Sequence, residues 1–121
     1  MADIVFRSNK RELEDQMRKA IDIAMEAVAQ EAEGNAIREV TALVYDTPPS
    51  QTYVRTGDLR KSIAHEYVKE ERAAYVGSSI YYSPYVEFGT RNMVERPFLR
   101  NAVQNYLDKY KQILEDGLSN L

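Results

Sequence analysis

Histidine and cysteine are residue types that can carry catalysis or bind a metal ion. The chain contains one histidine, His65, and no cysteine. The absence of cysteine excludes disulfides, thiolate nucleophiles and cysteine-based zinc sites. His65 lies in a predicted strand whose next residue, Glu66, points to the opposite face. It therefore has no sequence-adjacent partner for a catalytic triad or a zinc site. We expect it to be a surface or half-buried polar residue of a sheet.

Neither the paired carboxylates nor the glycines form a catalytic pattern. Glu70-Glu71 lies at a predicted turn and Glu115-Asp116 at a predicted helix end, where charged side chains are usually solvated. Acid–base catalysis would require the two carboxylates of a pair to converge in a cleft. The five glycines stand alone, so no loop that cradles phosphate is present. The sequence predicts a protein that is not an enzyme and holds no cofactor or metal.

Charge is unevenly placed along the 121 residues, whose formal net charge is −3. Residues 12–33 have a balance of −5, and residues 88–100 one of +2. Without a basic helix stripe, sequence-specific nucleic-acid binding is not expected, because neutralising phosphates needs clustered Lys or Arg. No apolar run reaches about 18 residues and the N-terminus lacks signal-peptide features, so we expect no membrane contact and synthesis in the cytosol.

The elements that must position these residues begin with a long helix over residues 8–45. Ser8 or Asn9 can cap it, with Glu12 completing a capping box. Beyond Gly34 the apolar face changes, so either the helix breaks there or one continuous helix buries its two halves against different surfaces; we favour the continuous helix. The two apolar sets are Leu13, Met17, Ile21, Ala24 and Val28, then Ile37, Val40, Leu43 and Val44.

Together with this helix, the rest of the sequence predicts a single domain, residues 1–121, of the α+β class. A loop over 46–55 contains Pro48 and Pro49, and a short helical turn over 56–62 begins with Thr56 as N-cap. Strands follow within 63–90: a hairpin of 63–69 and 73–77, and a further strand at 85–88. A C-terminal helix over 97–116 ends at Gly117. We expect an antiparallel sheet of three to four strands packed against the long N-terminal helix and the C-terminal helix.

Tyrosine is frequent, with nine residues, and four of them cluster. We expect Tyr75 and Tyr85, at predicted strand positions, to be in the core. Tyr81 and Tyr82, beside a predicted loop, are expected at an interface, because tyrosine combines apolar area with a hydroxyl that tolerates water.

Three blocks of sequence stand out: Thr56-Gly-Asp-Leu-Arg-Lys-Ser-Ile63, Tyr81-Tyr-Ser-Pro-Tyr-Val-Glu-Phe-Gly-Thr90 and Arg96-Pro-Phe-Leu-Arg100. Their order and spacing resemble the phage head–tail joining, or tail-completion, family over residues 47–103. The resemblance implies a structural virion protein at the neck between head and tail. It implies a ring of copies, a hexamer given the tail tube's sixfold symmetry, contacting tail-terminator and head-completion (stopper) proteins. The loop over 48–55 is longer than the family pattern.

Candidate partner-binding residues follow from these blocks. Glu87 either pairs with Arg91, Arg96 or Arg100 within the fold or meets an arginine of a neighbouring copy. The acidic face that includes Glu12, Asp15, Asp22 and Glu26 is either a lining of a DNA-conducting lumen or a solvated outer face. The candidates are Tyr81, Tyr82, Glu87, Arg91, Arg96, Arg100, Tyr53 and Val54.

A second class of function fits the long helix. A small regulatory or protein-interaction module of the antitoxin type would use that helix as a dimerisation surface. Gene neighbours separate the two: portal, capsid or tail-tube genes favour the neck, and an adjacent toxin gene favours the module.

Overall fold

The computed structural model describes residues 2–45, 57–91 and 94–119, and the side chains of 10–43, 57–91 and 94–119. The predicted loop 46–55 and the predicted cap Thr56 lie outside these ranges. The elements are helix α1 (Ala2–Val40), a π-helical turn (Thr41–Tyr45), α2 (Asp58–Lys61), β1 (Ile63–Val68), β2 (Ala73–Ser78), α3 (Ser83–Phe88), α4 (Phe98–Gln104) and α5 (Leu107–Ser119).

The long helix is continuous through Gly34, as predicted, and begins at Ala2 instead of near Ser8. Next to the glycine, Asn35 is fully buried, and its amide group donates to the Tyr110 hydroxyl at 3.1 Å. Its carbonyl oxygen accepts from Arg38 at 2.7 Å. Both ends of this buried amide are therefore bonded, as burial requires.

The described residues form a two-stranded antiparallel sheet, so the prediction of three to four strands is wrong. The hairpin is where the sequence predicts it, with Ile63 opposite Ser78 and Val68 opposite Ala73. The segment predicted as a further strand, residues 85–88, is instead the second part of α3. Pro84 is in the first turn of this helix, where its missing N–H costs nothing. A proline suited to the first turn of a helix therefore outweighs the strand preference of Tyr85 and Val86.

One core cluster joins the helices to the hairpin. Phe98 of α4 is fully buried and packs with small or branched side chains from α1, α2, β1 and α3. The alanines of α1 let α4 and α5 approach closely, because they occupy little volume. The cluster comprises Ala36, Val40, Leu59, Ile63, Val86, Phe98 and Ala102.

The C-terminal helix, predicted as one segment, is divided into α4 and α5 after Gln104. Tyr110 of α5 ties the two together, because its hydroxyl donates to the carbonyl of Ala102. Burial raises the pKa of this tyrosine. Gly117 does not end the helix, which continues to Ser119. It lies instead where a Cβ would come within 2.9 Å of the Ala24 Cβ, so its small size serves the contact with α1.

Candidate functional site

The residue at the centre of the sequence blocks, Glu87, caps α4 from the neighbouring helix α3. Its side chain is buried, and its carboxylate accepts from the backbone N–H of Leu99 and of Arg100, each at 2.9 Å. These donors lie in the first turn of α4, where no helix carbonyl can reach them. Pro97, before the helix, provides no side-chain cap. Glu87 therefore fixes the start of α4 against the end of α3.

Arg100 completes this connection and decides between the alternatives for Glu87. Its Nε lies 3.3 Å from the Glu87 carboxylate, and its Nη2 donates to the Glu87 backbone carbonyl at 3.0 Å and to Glu95 at 3.1 Å. The hydrogen bond to Glu95, and then that to Glu87, raises the pKa of Arg100 against the opposing effect of partial desolvation. The guanidinium also lies 5.4 Å from the centroid of the Phe88 ring. Glu87 is thus paired within its own subunit.

An apolar groove of about 550 Å³ opens beside this connection. Its walls are the end of β2, at Gly77 and Ser78, and the facing sides of α3 and α4. Phe88 is 66% exposed there, and Val103 of α4 is also exposed. Large apolar side chains at one contiguous exposed surface are typical of interaction sites.

A second uncovered apolar surface lies on α1. From Lys10 to Lys19, which we call the exposed half, every side chain is exposed, including Leu13 at 55% and Met17 at 47%. Ala24 lies on the same face, about two turns beyond Met17 and three beyond Leu13, and is buried against α5. Gly117 of α5 meets Ala24, and Tyr110 meets Asn35, so α5 runs antiparallel to α1 and ends at its covered part. The apolar stripe continues beyond this cover.

The tyrosines differ from their predicted places. Tyr75 and Tyr85, predicted in the core, are both exposed, and that prediction is wrong. Tyr75 points away from α1 because its neighbour Val76 takes the core-facing side of β2. Its hydroxyl donates to Glu71 at 2.7 Å.

The two tyrosines predicted at an interface precede α3. Tyr81 is 83% exposed, whereas Tyr82 packs against the core, and their rings meet edge to face at 5.3 Å. Arg91 is exposed and Arg96 is half-buried. The structure therefore brings Glu87 and Arg100 together and leaves Tyr81 at the surface. Tyr53 and Val54 lie outside the described residues.

Part of the acidic face of α1 turns towards the hairpin. Asp22 accepts from the Tyr67 hydroxyl at 2.7 Å and lies 3.6 Å from Lys69 Nζ. The hydrogen bond to Asp22 raises the pKa of Tyr67. Glu26 binds His65 of β1. These two carboxylates, assigned above to a lumen or an outer face, are used within the subunit, and sequence reasoning missed the contacts because Tyr67 and His65 lie 45 and 39 residues away.

The described ranges contain neither a metal-binding cluster nor a helix that could span a membrane. Within 2–45, 57–91 and 94–119, no group of three or more His, Cys, Asp or Glu side chains is arranged to hold a metal ion. In the same part of the chain, no helix is long and apolar enough to cross a bilayer.

Comparison with known protein families shows a similarity over most of the chain. Residues 5–89 match the model of the bacteriophage HK97 gp10-like family, described as a tail component. The matched span includes α1 except for its first three residues, together with the hairpin and α3, and ends before the Arg96–Arg100 block. No curated protein and no solved structure matches the chain significantly.

Proposed function

Because the chain belongs to the HK97 gp10-like family of phage tail components, we propose that it acts in the neck of the virion, as one subunit of a ring that completes the tail end or joins it to the head. Its role there is structural, without catalysis. The observation that carries the proposal is the exposed half of α1, whose apolar stripe extends past the end of α5.

A ring requires two different surfaces on each subunit. In a head-to-tail contact, one surface of each copy binds a different surface of the next, and the ring closes when the rotation does. The chain offers two such surfaces: Leu13 and Met17 on α1, and the groove beside Phe88 and Val103. They lie on separate elements and differ in shape. This supports a contact between unlike surfaces.

The size of the ring and its neighbours follow from its place in the particle. A tail tube with sixfold symmetry favours a hexamer of this chain. The two faces of such a ring then meet the tail-terminator and head-completion (stopper) proteins. Tyr81, 83% exposed in the turn before α3, supplies apolar area for contacts of this kind.

The test removes the apolar stripe without touching the core. Leu13→Asp combined with Met17→Asp places two charges on the exposed face of α1, where burial in an interface would be costly. We expect the variant to fold as the parent does and to leave heads and tails unjoined. Circular dichroism of the purified protein checks the fold, and electron microscopy of particles from a complementation assay counts joined heads and tails.

The matched control lies on the same helical turns. Arg11→Ala with Asp15→Ala changes the face opposite to Leu13 and removes two exposed charged side chains. Joining at the parental level with this control, and its loss with the aspartate variant, supports the assignment. Normal joining with the aspartate variant would show that the stripe contacts no virion partner, and the proposal would be abandoned.

A further inference from the structure

His65 bridges two carboxylates of α1. Its Nε2 lies 3.0 Å from Glu26 Oε1, and its Nδ1 lies 3.1 Å from Glu33 Oε2. Glu26 and Glu33 are seven residues apart, about two turns, and so lie on one face of the helix. The imidazole therefore fastens the middle of β1 to two points of α1 that are about two turns apart.

This geometry requires a particular protonation state. An ionised carboxylate only accepts hydrogen bonds, and a neutral imidazole carries one N–H. Neutral His65 can satisfy Glu26 or Glu33 but not both. The imidazolium form has two N–H groups and bonds to both carboxylates. The bridge is complete only when His65 is charged.

The surroundings of His65 favour that form. Partial burial by itself lowers the pKa of His65, but the hydrogen bonds to Glu33 and Glu26, with their negative charges, outweigh it and raise the pKa above its ordinary 6.5. On β2 the opposing residue is Val76, which carries no charge. Along β1, Tyr67 faces Asp22, which also attracts Lys69. Glu66, next in the strand, points to the other face.

We propose that His65 is a proton-operated latch, which fastens the hairpin to α1 when the imidazole is charged and loosens it when the imidazole loses a proton. A folded-state pKa raised above the unfolded value makes this contribution complete below about pH 6.5. The contribution is lost as pH rises through the folded-state pKa of His65. A single proton changes the opening equilibrium by at most about tenfold per pH unit.

The latch loosens the hairpin without detaching it. The bond from Tyr67 to Asp22 does not depend on His65, and it holds the strand at a second point. Because β2 forms one wall of the apolar groove, at Gly77 and Ser78, the latch also acts on the position of that wall. The latch itself does not depend on the neck assignment.

The test measures proton binding and hairpin opening separately. Nuclear magnetic resonance of the ring protons gives the pKa of His65 in the full chain. Amide hydrogen exchange, corrected for its intrinsic pH dependence, gives the protection of β1 and β2 between about pH 5 and pH 9. We expect a pKa above 6.5 and hairpin protection that falls across that pKa, while protection in α4 changes less.

Variants separate the latch from general stability. Glu33→Gln and Glu26→Gln should each lower the pKa of His65 and shift the loss of protection to lower pH. His65→Gln should remove the pH dependence. Tyr67→Phe, the matched control, should reduce protection equally at every pH. A pKa of His65 at or below 6.5, or unchanged pH dependence in Glu33→Gln, would overturn the latch even if His65→Gln fails to fold.

Discussion

The two halves of α1 share one periodicity and differ in what covers them. In residues 24–40, which we call the packed half, four of the buried residues are alanines, and they let α4 and α5 lie close. In the exposed half, Leu13 and Met17 continue the same face with larger side chains and no cover among the described residues. Large side chains fill space between elements that stand further apart. In the ring proposed above, a neighbouring subunit covers the exposed half.

The largest expected effect concerns the cluster beneath the packed half. Phe98→Ala removes a fully buried ring that packs with Ala36 and Val40, and it should lower the free energy of unfolding by about 3–5 kcal/mol. The matched change in the exposed half, Leu13→Ala, should cost less than about 0.5 kcal/mol. Urea denaturation of the purified variants measures both. A cost above about 1 kcal/mol for Leu13→Ala would mean that the exposed half is covered in the isolated protein.

The next effect concerns the connection between α3 and α4. Glu87→Ala leaves two backbone N–H groups and the Nε of Arg100 without their acceptor, so we expect a loss of about 3 kcal/mol in the free energy of unfolding. Glu95→Ala removes only the exposed partner of the same arginine and should cost about 0–1 kcal/mol. Thermal unfolding of the two variants compares them. Equal losses would show that the buried contacts of Glu87 add nothing to stability.

The smallest effect distinguishes two glycines that face different surroundings. A Cβ at Gly34 would meet nothing within 4 Å, so Gly34→Ala should stabilise the protein by about 0.5–1 kcal/mol through helix propensity. A Cβ at Gly117 would come within 2.9 Å of Ala24, so Gly117→Ala should lose that gain to the contact with α1. Differences in the urea midpoint measure both. Equal stabilisation by the two would mean that α5 does not approach α1 as closely as the structure places it.

The sequence predicted the elements that carry strong local signals. The continuous α1 and the hairpin follow from apolar spacing and from the Glu70–Arg72 turn, both of which depend on neighbouring residues. The prediction failed at residues 85–88, where a short segment with three strand formers could not be distinguished from a short helix by periodicity alone. The sequence analysis also did not predict that Tyr75 points outward. Alternation in a strand shows which residues share a face, but not which face meets the core.

The candidate site also divides into features that the sequence predicted and features that only the folded structure shows. The sequence marked Glu87 and Arg100, and limited the partner of Glu87 to a few arginines. The carboxylate's second role, as the cap of α4, depends on two backbone N–H groups that only folding brings to it. The link from His65 to Glu26 and Glu33 joins residues more than 30 positions apart, and no local pattern shows it.

The sequence by itself determined the composition, with no cysteine and one histidine, and predicted the long amphipathic helix. It also contains the three blocks that resemble a phage tail-completion family, and the family match agrees with this resemblance. Composition and spacing suffice for these because each is a property of residues close in the chain. Tertiary structure alone decided which carboxylates of α1 serve the fold and which face outward. Asp22 and Glu26 meet the hairpin, while Glu12 and Asp15 are exposed, because β1 packs beside only one part of the helix.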